Sequence, residues 1–114
     1  MPDRVLPASQ LVGEAELVRR RVMRALRSRQ RYRYVAPEVS FGSSAWFVRS
    51  PCCSRNVDQA GGVIDIARIE HSDGSWLLYN RDHAEQLWVM HGRHGSLGAL
   101  MGVLCADEER CFWP

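Results

Sequence analysis

The tetrapeptide Ser72-Asp73-Gly74-Ser75 restricts this chain more than any other feature. An Asp-Gly pair suits the two positive backbone angles of a tight hairpin loop. Runs rich in branched and aromatic residues flank it, Val63 to Glu70 and Trp76 to Arg81, and they read as two antiparallel strands. Continuing the pairing outward from Ser72 and Ser75 places Asp65 opposite Asp82, with His83 next along the chain. A slip of one residue would put His83 opposite Asp65 instead, because strand side chains alternate faces.

The rest of the chain builds around that hairpin. Residues Leu11, Ala15, Val18, Val22, Ala25 and Leu26 recur at steps of three and four, which predicts an amphipathic helix from a Ser9 cap, just after Pro7, to about Arg29. Tyr32 to Phe41 and Ala45 to Arg49, separated by Gly-Ser-Ser, predict a strand pair. Leu87 to His91 predicts a short last strand, followed by a loop over Gly92 to Gly95. Ser96 caps a final helix, Leu97 to Ala106, whose buried stripe is Leu97, Leu100, Met101 and Leu104. The terminal Phe112 and Trp113 are expected to pack back onto the body. The expectation is one α+β domain over residues 1–114: an N-terminal amphipathic helix, a four- to five-stranded antiparallel meander and a C-terminal helix packed on the sheet.

Charge is distributed unevenly. Eight of the fifteen basic residues fall between Arg19 and Arg33, where no acidic residue occurs, although the net charge is only +2. The chain contains arginine and no lysine, a usage that a GC-rich genome also produces. Such a concentration suits an acidic companion. In the binding reading, Arg20, Arg24, Arg27, Arg29, Arg31 and Arg33 supply charge and Tyr32 and Tyr34 contact area, toward nucleic acid or an acidic protein. In the structural reading the arginines lie over the sheet edge or pair with Glu14, Glu16 and Glu38.

Two further constellations bear on chemistry. Asp65 and Asp82, if opposed, need a cation, a shared proton or an arginine between them. Asp65, Asp82, His83, Arg55 and one of Cys52 and Cys53 therefore form an alternative site, dependent on a metal or a thiol. In the structural reading, Arg49, Arg55 or Arg81 neutralises the carboxylates. Adjacent cysteines diverge and suit zinc poorly, so no cofactor is expected, with zinc or another divalent ion as the alternative. Trp46, Trp76 and Trp88 on strands read as packing residues, or as an aromatic platform across the sheet. His91 and His94, among glycines, are expected to face solvent.

Composition sets outer bounds. The opening residues lack a secretory apolar run, and no stretch is long and apolar enough to span a bilayer, so a cytoplasmic protein with reduced thiols and no membrane association is expected. Gly-Gly-Val-Ile-Asp-Ile-Ala (61–67) before a hairpin is similar to the metal-binding core of restriction-endonuclease-like nucleases. That core needs a Glu-x-Lys or similar triplet on the next strand; the strand here has none, and the chain has no lysine, which argues against nuclease chemistry.

Four segments, Ser50 to Asp58, Gly61 to Ala67, Leu78 to His83 and the closing Phe-Trp-Pro, together resemble a family of small proteobacterial proteins described only as a domain of unknown function. The resemblance spans about residues 30 to 114. It implies a bacterial cytoplasmic protein and carries no activity or site. The resulting expectation is an accessory or regulatory domain, more an adaptor than an enzyme.

Overall fold

The computed structural model describes residues 8–54, 57 and 60–114, with side chains from Gly13 onward. Helix α1, Ala8–Ala25, begins before the expected cap at Ser9, whose side chain, like Pro7, lies outside the described residues. It passes into a 3-10 turn, Leu26–Ser28. The predicted face is the buried one: Ala15, Val22 and Leu26 are in the core, with Val18 and Ala25 packed against it.

Five strands follow in meander order: β1 (Glu38–Gly42), β2 (Ala45–Pro51), β3 (Val63–Ser72), β4 (Ser75–Asp82) and β5 (Leu87–His94). Helix α2, Leu97–Ala106, has the predicted bounds. Its cap is also as predicted, Ser96 Oγ accepting from the Ala99 N–H at 3.1 Å. At the β3–β4 turn, Asp73 and Gly74 both have positive φ, 51° and 77°. Ser72 pairs with Ser75 and the register runs as expected to Ala67 opposite Asn80. There the ladder ends, so Asp65 and Asp82 do not pair. An irregularity between Val48 and Arg49 of β2 instead brings Asp65 into register with Arg49.

Two further expectations are corrected. The first strand does not begin at Tyr32. Tyr32 has φ 59°, and the Arg29 guanidinium takes its carbonyl and that of Val35, so these groups are spent before a ladder can form. Pairing starts at Glu38, after Pro37. The loop expected over Gly92 to Gly95 is strand as far as His94, because an irregularity between Leu78 and Tyr79 absorbs an extra residue and lets β5 continue.

Alternation gives the sheet two unlike faces. Val39, Val48, Ala67, Ile69, Trp76 and Leu78 point to one side, where both helices cover them in a single apolar cluster. Leu100, Met101 and Leu104 of α2 join it, with Phe112 and Trp113 of the tail. The α1 end is fixed by Trp46, whose Nε1–H donates to the Ala15 carbonyl at 3.0 Å.

The tail is seated by Asp107, which follows α2 in the left-handed region at φ 44° and is buried. Its carboxylate accepts from the backbone N–H groups of Cys111 (2.7 Å), Phe112 (3.1 Å) and Trp113 (2.9 Å). Trp113 Nε1–H then reaches the Leu104 carbonyl at 3.0 Å. Deleting the carboxylate strands several buried donors, each costly to leave unpaired. Asp107→Gly, which tolerates the left-handed backbone, is expected to lose roughly 3 kcal/mol in urea unfolding. A parent-like midpoint would show that the tail is held without that carboxylate.

Candidate functional site

The basic segment divides into arginines turned inward and arginines left out. Glu16, one turn before the run, takes Arg19 at 2.7 Å and Arg20 at 2.9 Å. The Arg19 hydrogen bond, with Arg20 adding, holds the Glu16 carboxyl down at about 2. Beyond the helix, Arg29 donates to the carbonyls of Leu26, Tyr32 and Val35, and Arg31 donates to the Trp113 carbonyl at 2.7 Å. Tyr32 is buried against Trp113 with ring centroids 5.5 Å apart, and its hydroxyl accepts from the Cys53 N–H. Arg29, Arg31 and Tyr32 are thus tied into the scaffold, and Arg31 and Tyr32 also line an open depression with Arg33 and Tyr34.

Arg24, Arg27 and Arg33 are exposed and form no ion pair among the described residues. Tyr34 is 102% exposed. Arg21 joins this group: with Arg20, Arg24, Arg27, Leu17 and Met23 it lines an open depression along the outer face of α1. Arg21 and Arg24 also form one wall of a groove of about 450 Å³ between α1 and α2, floored by Ala25, Leu97 and Met101. Arg21 was absent from the sequence-derived set, although its spacing from Arg24 marks it as a neighbour on the helix.

The alternative site is only partly assembled. Asp65 and His83 line one polar recess of about 280 Å³ with Arg49, Arg81 and Gln86. Asp65 is held there by Arg49 (3.4 Å) and Arg81 (3.6 Å), two of the arginines of the structural reading. Burial keeps His83 below the usual imidazole range, with Arg81 adding to the effect and Asp65 and Asp82 opposing it. Asp82 is occupied by the turn, its Oδ1 accepting from the Glu85 N–H at 3.0 Å. Asp82 and the cysteines are not among the residues lining the recess. Cys52 Sγ donates to the Ser54 carbonyl, and Cys53 is exposed. Arg55 lies outside the described residues. Among those that are described, no group of three or more His, Cys, Asp or Glu side chains is placed to hold a metal ion.

The tryptophans separate by strand. Trp46 and Trp76 are buried, 5.9 Å apart, and Trp113 is in the core, as packing residues should be. Trp88 is on the uncovered face, 5.9 Å from Phe47 and beneath the Arg81 guanidinium. His91 and His94 are half-buried on β5 rather than in a solvent-facing loop, and His91 packs against Phe112 at 4.8 Å.

This geometry defines an α+β domain with a basic helix face and a polar recess in which two arginines hold one carboxylate. Residues 10–114 match the family described as a domain of unknown function, DUF3024, and the chain belongs to that family. No curated protein and no solved structure matches it. Among the described residues, no helix is long and apolar enough to cross a membrane.

The Glu16 pairing is directly measurable. A carboxyl depressed in the fold contributes above its unfolded pKa of about 4.5 and loses that contribution as pH falls through about 2. In a carboxyl NMR titration Glu16 is expected to have its midpoint near 2, and Arg19→Gln should move it back toward 4.5. An unmoved midpoint would dissociate Arg19 from Glu16.

Proposed function

We propose that this protein is a non-enzymatic accessory domain that binds a nucleic-acid backbone through the outer face of α1. The observation that carries this reading is that, among the described residues, Arg21, Arg24 and Arg27 stand exposed along the helix without ion pairs, while Glu16 serves Arg19 and Arg20. Arg20 to Arg27 extends about 10 Å along the axis, so several guanidinium groups face one side within the span of a few phosphates. Beyond the helix exit Arg33 and the fully exposed Tyr34 line a second open depression with Arg31.

A phosphate backbone fits this surface better than an acidic protein does. The surface is of one sign, with Leu17 and Met23 as its apolar neighbours. A stable protein interface normally centres on a larger apolar or aromatic anchor. A cytoplasmic setting agrees with the four free thiols.

The arginines act as point charges on phosphates in this reading, so affinity should fall steeply with salt. The triple variant Arg20→Ala, Arg24→Ala, Arg27→Ala is expected to leave a heparin column at clearly lower salt than the parent. In oligonucleotide titrations, the slope of log affinity against log salt should shrink by roughly 2 to 3. Co-elution of variant and parent would eliminate α1 as the contact surface.

A further inference from the structure

The uncovered face of the sheet carries a layer that the α1 reading leaves unused. Phe47, Arg68, Tyr79 and Met90 stand in one row across β2 to β5, and Arg81 pairs with Trp88 in the next. The Arg68 guanidinium lies 5.9 Å from the Phe47 ring and 5.3 Å from that of Tyr79, and Arg81 lies 4.9 Å from Trp88. Phe47 and Trp88 meet although β3 and β4 separate their strands, so the two rings lean toward each other, each with a guanidinium over one face.

This layer is built but not closed. Glu70 accepts from Arg68 and, at 2.9 Å, from the Tyr79 hydroxyl. Asp65 takes Arg49 and Arg81. Among the described residues the buried Arg68 Nε has no hydrogen-bond partner, and the guanidinium lies over the Phe47 and Tyr79 rings. Phe47 and Trp88 remain partly open to solvent and stand outside the apolar cluster that the helices cover. On this face Arg49, Arg68, Arg81 and Arg93 outnumber Glu38, Asp65 and Glu70, which leaves a positive surplus around the rings.

We infer that this face is a stacking platform for the bases of single-stranded nucleic acid. A half-open aromatic ring backed by a cation accepts the π face of any base, and a positive rim suits the connecting phosphates. A duplex keeps its bases stacked inside and offers no such face. A protein partner wants an apolar centre free of charge, whereas here Phe47, Tyr79, Trp88 and Met90 are interleaved with Arg68 and Arg81. The inference rests on nucleic acid being the partner class, but it uses the side of the sheet opposite α1, so the two surfaces can be tested apart.

The probes are a labelled oligothymidine of about 20 nucleotides and a duplex of the same length. Trp46, Trp76 and Trp113 are buried, so quenching of tryptophan emission by the single strand should come from Trp88 and vanish in Trp88→Phe, which keeps a ring and most of the affinity. Trp88→Leu is expected to weaken single-strand binding about ten-fold, with the salt slope unchanged and the duplex unaffected. Thermal melting of Trp88→Phe and Trp88→Leu identifies any loss that comes from unfolding.

Parent-like single-strand binding by folded Trp88→Leu, or quenching that persists in Trp88→Phe, would overturn the inference. Binding lost only in the Arg20, Arg24, Arg27 triple variant overturns it too and leaves the helix reading standing. Binding lost in Trp88→Leu but kept in the triple variant supports the platform and removes α1. No binding of either probe by the parent overturns both.

Discussion

The Asp107 carboxylate organises more of this molecule than any other single group. By gathering the N–H groups of residues 111 to 113 it turns the chain end inward and seats Trp113 in the core. Trp113 then becomes the anchor for the far end of α1: Tyr32 packs on it, Arg31 donates to its carbonyl, and the Arg29 guanidinium lies 5.6 Å from its ring. The consequence reaches the functional surface. The arginines past the helix end that meet the tail are drawn into the scaffold, whereas Arg21, Arg24 and Arg27 lie on the side of α1 away from the sheet and stay outward. The division of the basic segment into structural and available charge is therefore set in part from the opposite end of the chain, through Arg31, and in part by the local carbonyls that hold Arg29.

The sheet separates its two tasks by face. The covered side is apolar, and its burial supplies the driving force for folding. Among the described residues no helix covers the other side, which carries arginines, carboxylates and rings that satisfy one another at the surface. Half-exposed ion pairs such as Arg49 with Asp65 contribute little to stability. Their value lies in orientation: Glu70 fixes Arg68 between Phe47 and Tyr79, and Asp65 turns Arg81, which lies over Trp88. A layer so arranged loses little side-chain freedom when a flat ligand settles on it.

Much of the architecture was legible in the sequence wherever the signal was local. The 3.6 period of α1, the Asp73-Gly74 turn with the pairing next to it, and Ser96 ahead of α2 each carry their cause within a few residues. What could not be read depended on distant partners. Tyr32 to Val35 has strand-like composition, but Arg29 takes two of its carbonyls and bends the segment away. Asp65 was assigned the wrong neighbour because a hairpin register alone does not reveal where its ladder stops. Of the proposed contact residues, Arg24, Arg27 and Tyr34 are exposed. Arg29, Arg31 and Tyr32 have partners past the helix end, in the loop after it and the chain end, which helical periodicity does not reach.

The irregularity between Leu78 and Tyr79 shows how one residue decides which side of a protein can bind. Side chains on a strand alternate, so an unbroken β5 would carry Trp88, Met90, Gly92 and His94 on one face. The extra residue at His91 resets the alternation, placing Gly92 opposite Leu78 and His94 opposite Trp76 on the covered side, while Met90 stays opposite Tyr79 on the open one. His94 is thereby turned toward the core, on the side that His91 already faces. His91 packs on Phe112, and among the described residues the buried His91 Nδ1 and His94 Nε2 have no hydrogen-bond partner. Trp88 is left on the uncovered face beside Arg81. Without the bulge His94 would stand on the open face and add its imidazole to the ring layer; with it, that layer is confined to the part of β5 before His91. The strand thus serves the core at one end and the exposed aromatic face at the other.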